Sequence, residues 1–458
     1  MTRDAALSRR VPSLPDTLLA TALLPGILGI FMATLAAGKL ERSPGWLVLA
    51  GFSGIFLAFH ILSGRGRRIG DPVMFSAVAF LSGLGLAEVL RLDPGLAARQ
   101  VGHLAGGVAL AWALVTLTPD LLALERYRFI AAAAACALLA STILFGVEAG
   151  GARSWLDLGP VAVQPSEAAK ILMVVFYAGY LKDTRVLLRK SSRRLFGVLL
   201  PDVSYVGPLA LMWGLALVLL VFQRDLGAAV LFFGVFLFML YAASGRASYV
   251  LGGAALLAAG GAASAWLFPH VRSRFVVWLD PWRFMDAAGY QTVQSMFAVA
   301  AGGLIGLGPG RGMAHVIPAA PTDFVFAAVC EEMGLVGGLA VIGAYALLVH
   351  RGLMWASRAS DDFRALIAAG MTSLIGLQAF TIVGGVLGIV PLTGVTLPFV
   401  SYGGSSMIAS FAAIGLALRA AREEREEQEA QDRVQDRALE RAQEREPDRE
   451  KGRVEIEG

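Results

Sequence analysis

The chain has 458 residues, 56% hydrophobic and only 16% charged, with a mean hydropathy of +0.65, which excludes a water-soluble globular domain of this size. Its net charge of +4 and pI near 9.2 do not argue for nucleic acid, because membrane proteins gather Lys and Arg in cytoplasmic loops. The two cysteines, Cys136 and Cys330, lie in apolar runs without CxxC spacing, and the five histidines are scattered, so neither a disulfide framework nor a metal cluster is expected.

The fold class that remains is an all-α polytopic membrane protein. A hydrocarbon core of about 30 Å takes roughly 20 apolar residues per helix. That measure predicts about twelve spans, at 16–37, 45–63, 72–91, 101–118, 128–147, 165–183, 205–222, 226–243, 248–268, 323–349, 363–389 and 396–419. The first apolar run follows MTRDAALSRRVPSLPD with no small-residue cleavage site, and so reads as a retained span. Arg3, Arg9 and Arg10 precede it; Arg65, Arg67 and Arg68 follow the second span; Lys182, Arg185, Arg189, Lys190, Arg193 and Arg194 follow the sixth. Alternating spans put all of these on one side, with Arg246, Arg351 and Arg358, and the positive-inside rule makes that side the cytoplasm. Both termini are then expected inside, and 92–100, 148–164, a large loop at 269–322 and 390–395 outside. From residue 421 mixed Glu and Arg replace the apolar residues, predicting a solvated, partly helical or disordered tail over 421–458. No inverted repeat of the transporter kind is visible.

Several polar groups interrupt this pattern. Asp323 follows Pro321 and Thr322 at the mouth of a span, with Glu331 and Glu332 two turns further in. A carboxylate there either caps the helix or, partly desolvated, acts as a general base. Glu167 and Lys170 stand three apart at the start of another span, where they can pair as a strut or form the polar floor of a cavity. Arg153 lies beside Trp155 and Asp157 in GARSWLDLGPVAV, and Arg272, Arg274, Arg283 and Arg311 are spread through 269–322. Guanidinium groups at these places suit phosphate oxygens or snorkel at the interface. Two Gly/Pro-bearing segments, Gln223–Gly227 and Pro391–Ser406, break the apolar runs, and backbone so broken is tolerated where it lines a cavity or is covered by protein.

The stretches GARSWLDLGPVAVQPSEAAK, QRDLG, DPW with AAGYQTVQS and AGGLIGLGPG, PTDFVFAAVCEEMGLVGG and PLTGVTLPFVSYGGSS, in this order, resemble the SEDS family (shape, elongation, division and sporulation) and lean toward its RodA type. The resemblance spans roughly 72 to 420. It implies a membrane core of about ten helices over 72–420, preceded by an added helix pair in 1–71, in a bacterial inner membrane. It further implies a peptidoglycan glycosyltransferase that polymerises lipid II into β-1,4-linked glycan during elongation or division, releases undecaprenyl pyrophosphate, and works with a class B penicillin-binding protein. Asp323 matches the family's essential aspartate, and Glu167 and Lys170 its intramembrane pair. In that chemistry Arg153, Arg272 and Arg274, with Gln164 and Ser166, are the expected contacts to substrate and pyrophosphate. Asp225, Gln291, Pro398, Ser401, Gly403 and Gly404 are further motif positions. A divalent cation such as Mg or Mn is the one cofactor this chemistry would call on. The chain departs from the family pattern at His315 and Ala319, where a Glu is common, and at Arg224, where Pro is usual. A flippase for a polyprenyl-linked sugar, or a non-catalytic scaffold, are the alternative readings.

Overall fold

Apolar runs bounded by Asp, Pro and Gly become helices because, without water, the backbone can satisfy its polar groups only internally. The computed structural model describes residues 14–36, 44–64, 69–149, 152–159, 161–190, 193–195, 198–200 and 203–454. Arg3, Arg9, Arg10, Arg65, Arg67 and Arg68 lie outside them. The first helices are α1 (Leu14–Ala36), α2 (Gly45–Leu62), α3 (Pro72–Leu92), α4 (Pro94–Leu117) and α5 (Arg128–Phe145). Asp71 and Asp93 cap α3 and α4 ahead of Pro at the first helical position, so α4 starts well before the predicted 101. The GARSWLDLGPVAV stretch lies not in a plain loop but in a small antiparallel sheet of β1 (Val147–Ala149), β2 (Ala152–Asp157) and β3 (Ala162–Val163). After it come α6 (Pro165–Lys190), a hairpin of β4 (Arg193–Leu195) and β5 (Val198–Leu200), then α7 (Val203–Phe222), α8 (Leu226–Ser244) and α9 (Ala247–Leu267).

The expected large loop carries two helices, α10 (Pro269–Leu279) and α11 (Tyr290–Gly302), joined by short 3-10 turns to α12 (Val325–Arg358). The chain closes with α13 (Asp362–Val386) and α14 (Gly404–Val454), the latter running on through the charged tail. Among the described residues ten helices are long and apolar enough to cross a membrane, against the twelve predicted. The two outside that number are α6, which carries Glu167, Lys170, Lys182, Asp183 and Arg185, and α7. The protein is thus a multi-pass membrane protein. Its buried centre is α3 and α13, surrounded by the others, while α9 buries only Tyr249.

The predicted span 323–349 is broken at Gly334 (φ 64°, ψ −162°). Two helical hydrogen bonds are lost there, and the loop after α11 replaces both. The amides of Leu335 and Val336 turn to the carbonyls of Gly303 (2.9 Å) and Leu304 (3.2 Å), while Leu307 and Gly308 donate to the freed carbonyls of Glu331 and Glu332, each at 3.0 Å. The side chains of Glu331 and Glu332 accept from Met313 N (2.8 Å) and Gly310 N (3.0 Å). Arg91, in the last turn of α3, completes the knot with its Nε 2.7 Å from Glu332 Oε1 and 3.5 Å from Glu88 Oε2.

The opposite ends of these helices carry a second network. Asp71 accepts from Arg351 Nε (2.7 Å) and Trp355 Nε1 (2.6 Å), and Lys182 pairs with Glu125 (2.8 Å) and Asp361 (3.1 Å). Here too Glu423 of α14 is held by Arg364 and Arg419, each at 2.9 Å, and Glu424 accepts from Ser360 N at 2.8 Å.

Candidate active site

Asp323 stands in a turn ahead of α12, not in the helix. The amides of Thr322 and Asp323 both bond to Ala319 C=O (3.1 and 3.0 Å), and the Thr322 hydroxyl donates to the same oxygen at 3.0 Å. Ala319, with φ 60°, makes the reversal possible. The N-cap of α12 is Phe324 and no side chain caps it, so the capping reading of Thr322 and Asp323 does not hold. The Asp323 carboxylate is half-buried, and desolvation pushes its pKa above the ordinary value, opposed by the neighbouring Thr322 hydroxyl and the Arg274 guanidinium.

Arg274 reaches this place from α10. Its Nη1 donates to Thr393 C=O at 2.9 Å, and Trp278, one turn later, donates from Nε1 to Gly388 C=O at 2.9 Å. One side of α10 therefore clips the segment between α13 and α14. Gly394, at φ 71°, lies where the two charges meet: a Cβ there would be 3.8 Å from Arg274 Nη2 and 3.9 Å from Asp323 Oδ2. No side chain fills the point between the Asp323 carboxylate and the Arg274 guanidinium.

The segment Pro391–Gly403 holds the site from its other side. The Ser401 hydroxyl accepts from Leu397 N (2.9 Å) and donates to Thr322 C=O, and Tyr402 N donates to Pro321 C=O at 2.8 Å. Pro398 C=O accepts from the Tyr345 hydroxyl. Gln100 of α4 grips the same turn, Nε2 to Ser401 C=O at 2.9 Å and Oε1 from Gly403 N at 3.4 Å, and Gly404 makes room for the His103 ring.

Below lies a polar floor. Lys170 Nζ is 2.9 Å from Glu167 Oε1 and 3.0 Å from Gln378 Oε1, and Gln378 Nε2 donates to Thr396 C=O at 2.8 Å. The pair thus reaches the Pro391–Gly403 segment through Gln378. A void of about 10 Å³ against Glu167, Lys170, Gln378 and Ser410 has room for one water. Gln164 joins in through its amide to Ser405 Oγ (3.0 Å) and its Nε2 to Asp225 Oδ2 (3.4 Å), while Asp225 caps α8 through Ala228 N at 2.9 Å. Ser166 is buried beside this floor.

The remaining expected contacts are distributed differently. Arg153 uses Nε on Gly146 C=O (2.7 Å), tying β2 to the end of α5, and Arg272 is exposed on α10; among the described residues no interaction joins either to Asp323. Gln291 bonds Pro318 C=O at 3.5 Å and so braces the turn before Asp323. His315 and Ala319 are exposed, and Glu331 and Glu332 are committed to the kink, so none of these four positions sets a second carboxylate beside Asp323. Sequence reasoning missed Gln100 and Gln378, whose only signal was a Gln at the edge of one span and inside another. Among the described residues no group of three or more His, Cys, Asp or Glu side chains is placed to hold a metal ion.

The family model for cell cycle proteins of the FtsW, RodA and SpoVE group matches residues 72–426, from the start of α3 into α14. The chain belongs to the FtsW/RodA/SpoVE family. It is 37% identical to the peptidoglycan glycosyltransferase RodA of Mycobacterium tuberculosis over 389 residues, 82% of each chain. The fold matches a chain solved in work on how a peptidoglycan synthase complex coordinates polymerization and crosslinking, with a TM-score of 0.64, 30% identity, and coverage of 77% of this chain and 98% of that one. It also matches the rod shape determining protein RodA of Thermus thermophilus, with a TM-score of 0.57, 27% identity, and coverage of 77% and 97%.

Proposed function

We propose that this member of the FtsW/RodA/SpoVE family is a peptidoglycan glycosyltransferase of the RodA type, which polymerises lipid II on the extracytoplasmic face of the bacterial inner membrane, both its termini being cytoplasmic. The observation that carries the reading is Asp323, a half-buried carboxylate facing Arg274 across the open point at Gly394. Joining β-1,4 links from an α-linked donor inverts the anomeric carbon, which takes one base at the attacking 4-hydroxyl and positive charge near the leaving pyrophosphate. Asp323 takes the proton. Arg274 faces the developing charge with its second guanidinium nitrogen, while Nη1 stays on the Thr393 carbonyl. A divalent cation would enter only with the pyrophosphate, and no step is assigned to it. What supports this face is that Lys182, Arg185, Arg351 and Arg364 lie at the helix ends away from Asp323. The partner is a class B penicillin-binding protein that crosslinks the strand, in keeping with the crosslinking complex to which the fold is similar.

The test is to incubate purified protein and its partner transpeptidase with labelled lipid II in the presence of moenomycin. Glycan ladders support polymerisation, and their absence with intact lipid II translocation in vesicles would replace it by flipping. Asp323→Asn is expected to lower polymer yield by roughly 10²–10⁴-fold while lipid II binding persists; undiminished ladders would remove Asp323 from the reaction.

A further inference from the structure

We propose that Gln100 is a positioning residue for Asp323: its amide fixes the Ser401–Gly403 turn, and that turn fixes the backbone that carries the carboxylate. The inference rests on the reading of Asp323 as the base. Gln100 is 2% exposed and spends both ends of its side chain on one turn, 301 residues away along the chain for the Ser401 carbonyl. From that turn two bonds cross to the residues just before Asp323: Ser401 hydroxyl to Thr322 C=O, and Tyr402 N to Pro321 C=O. A buried amide, carbonyl or N–H left unpaired is costly, so Gln100 and the turn move as a unit. His103, one helical turn on, strengthens the seat. Its ring centroid lies 6.0 Å from that of Tyr402, and its Nε2 is 2.8 Å from where a Gly404 Cβ would sit. Among the described residues the Gln100 side chain bonds this turn and neither Asp323 nor Arg274, so its influence on the reaction is geometric.

A plain packing role would lower the yield of folded protein and leave the turnover of what folds unchanged. A positioning role lowers kcat. The experiment measures lipid II polymerisation by the full-length protein with its partner transpeptidase for Gln100→Met, Ser401→Ala and the double variant, with melting temperature recorded for each. Each single change is expected to lower kcat roughly tenfold with KM within about twofold, as for a small misplacement of a reacting group. The double variant is expected to be no slower than the slower single one, because both cut the same link. Gln100→Glu keeps an acceptor toward Gly403 N and is expected to fall between wild type and Gln100→Met; it also serves if the Met variant does not fold. Losses that multiply in the double variant, or a raised KM at unchanged kcat, would overturn the proposal. Full activity of Asp323→Asn would sink the base reading itself. An inactive Asp323→Asn beside wild-type kcat in both Gln100 variants would sink only the positioning.

Discussion

With Asp323 as the proposed base, its protonation sets the acid limb of the reaction. Burial raises the carboxyl pKa, the Thr322 hydroxyl and Arg274 lower it, and a base works only when ionised. Activity is therefore expected to fall on acidification at a pH above that of an ordinary aspartate. Arg274→Gln removes the cation that favours the ionised form, so the pKa rises further and the acid limb moves to higher pH; a pH–rate profile of the two proteins checks the direction. An unmoved limb would mean that some other group titrates. In the sequence Asp323 stood out by its place at the mouth of an apolar run, but only the family resemblance favoured a base over a helix cap there. The sequence could not reveal which guanidinium faces Asp323, since Arg153, Arg272 and Arg274 carry the same chemistry and only the docking of α10 on Thr393 separates them. The Gln100 contact was equally out of reach, because a bond to Ser401 leaves no periodic trace.

Among the elements, α12 departs most from what an apolar pattern conveys. Its residues read as one span, and nothing in their hydropathy marks Gly334 as the point where two helical bonds are exchanged for four to the loop after α11. The backbone there is in a region reserved for glycine, and a Cβ would come within 2.4 Å of Gly306 N. Gly334→Ala is expected to destabilise the protein by about 2 kcal/mol or more, read as a lower melting temperature in detergent. Arg91 is the cation that faces Glu88 and Glu332, and Arg91→Met should cost about 3–5 kcal/mol by leaving buried carboxylates without it. A melting temperature unchanged by that substitution would show the carboxylates to be carried neutral. The charged residues of α6 keep it outside the ten long apolar helices although 165–183 reads as a span, and there Glu167 and Lys170 neutralise one another in place.

On the scale of the molecule the chain keeps its reacting groups and its charge-rich ends apart. The apolar segments announced the order of the helices, though ten long apolar helices stand among the described residues against the twelve expected, but not that the start of the acidic tail would pack on the bundle. Glu423 and Glu424 do so because Arg364 and Ser360 wait at the junction of α12 and α13, while Arg419, one turn earlier on α14, also holds Glu423. Removing residues 438–458 is expected to leave the melting temperature unchanged, whereas removing 421–458 should lower it; equal effects would mean that these contacts contribute nothing. The N-terminal pair meets the matched region just as intimately. At the crossing of α1 and α3, Gly26 and Gly83 touch backbone to backbone, a Cβ on either lying 2.7 Å from the other's Cα, and Phe52 of α2 closes over them. Small residues of this kind allow helices in lipid to approach closely. A ribosome delivers α1 and α2 first, so α3 enters the bilayer with its groove-filling neighbour already waiting. The helix at the centre of the bundle is thereby docked before most of its later companions have been synthesised.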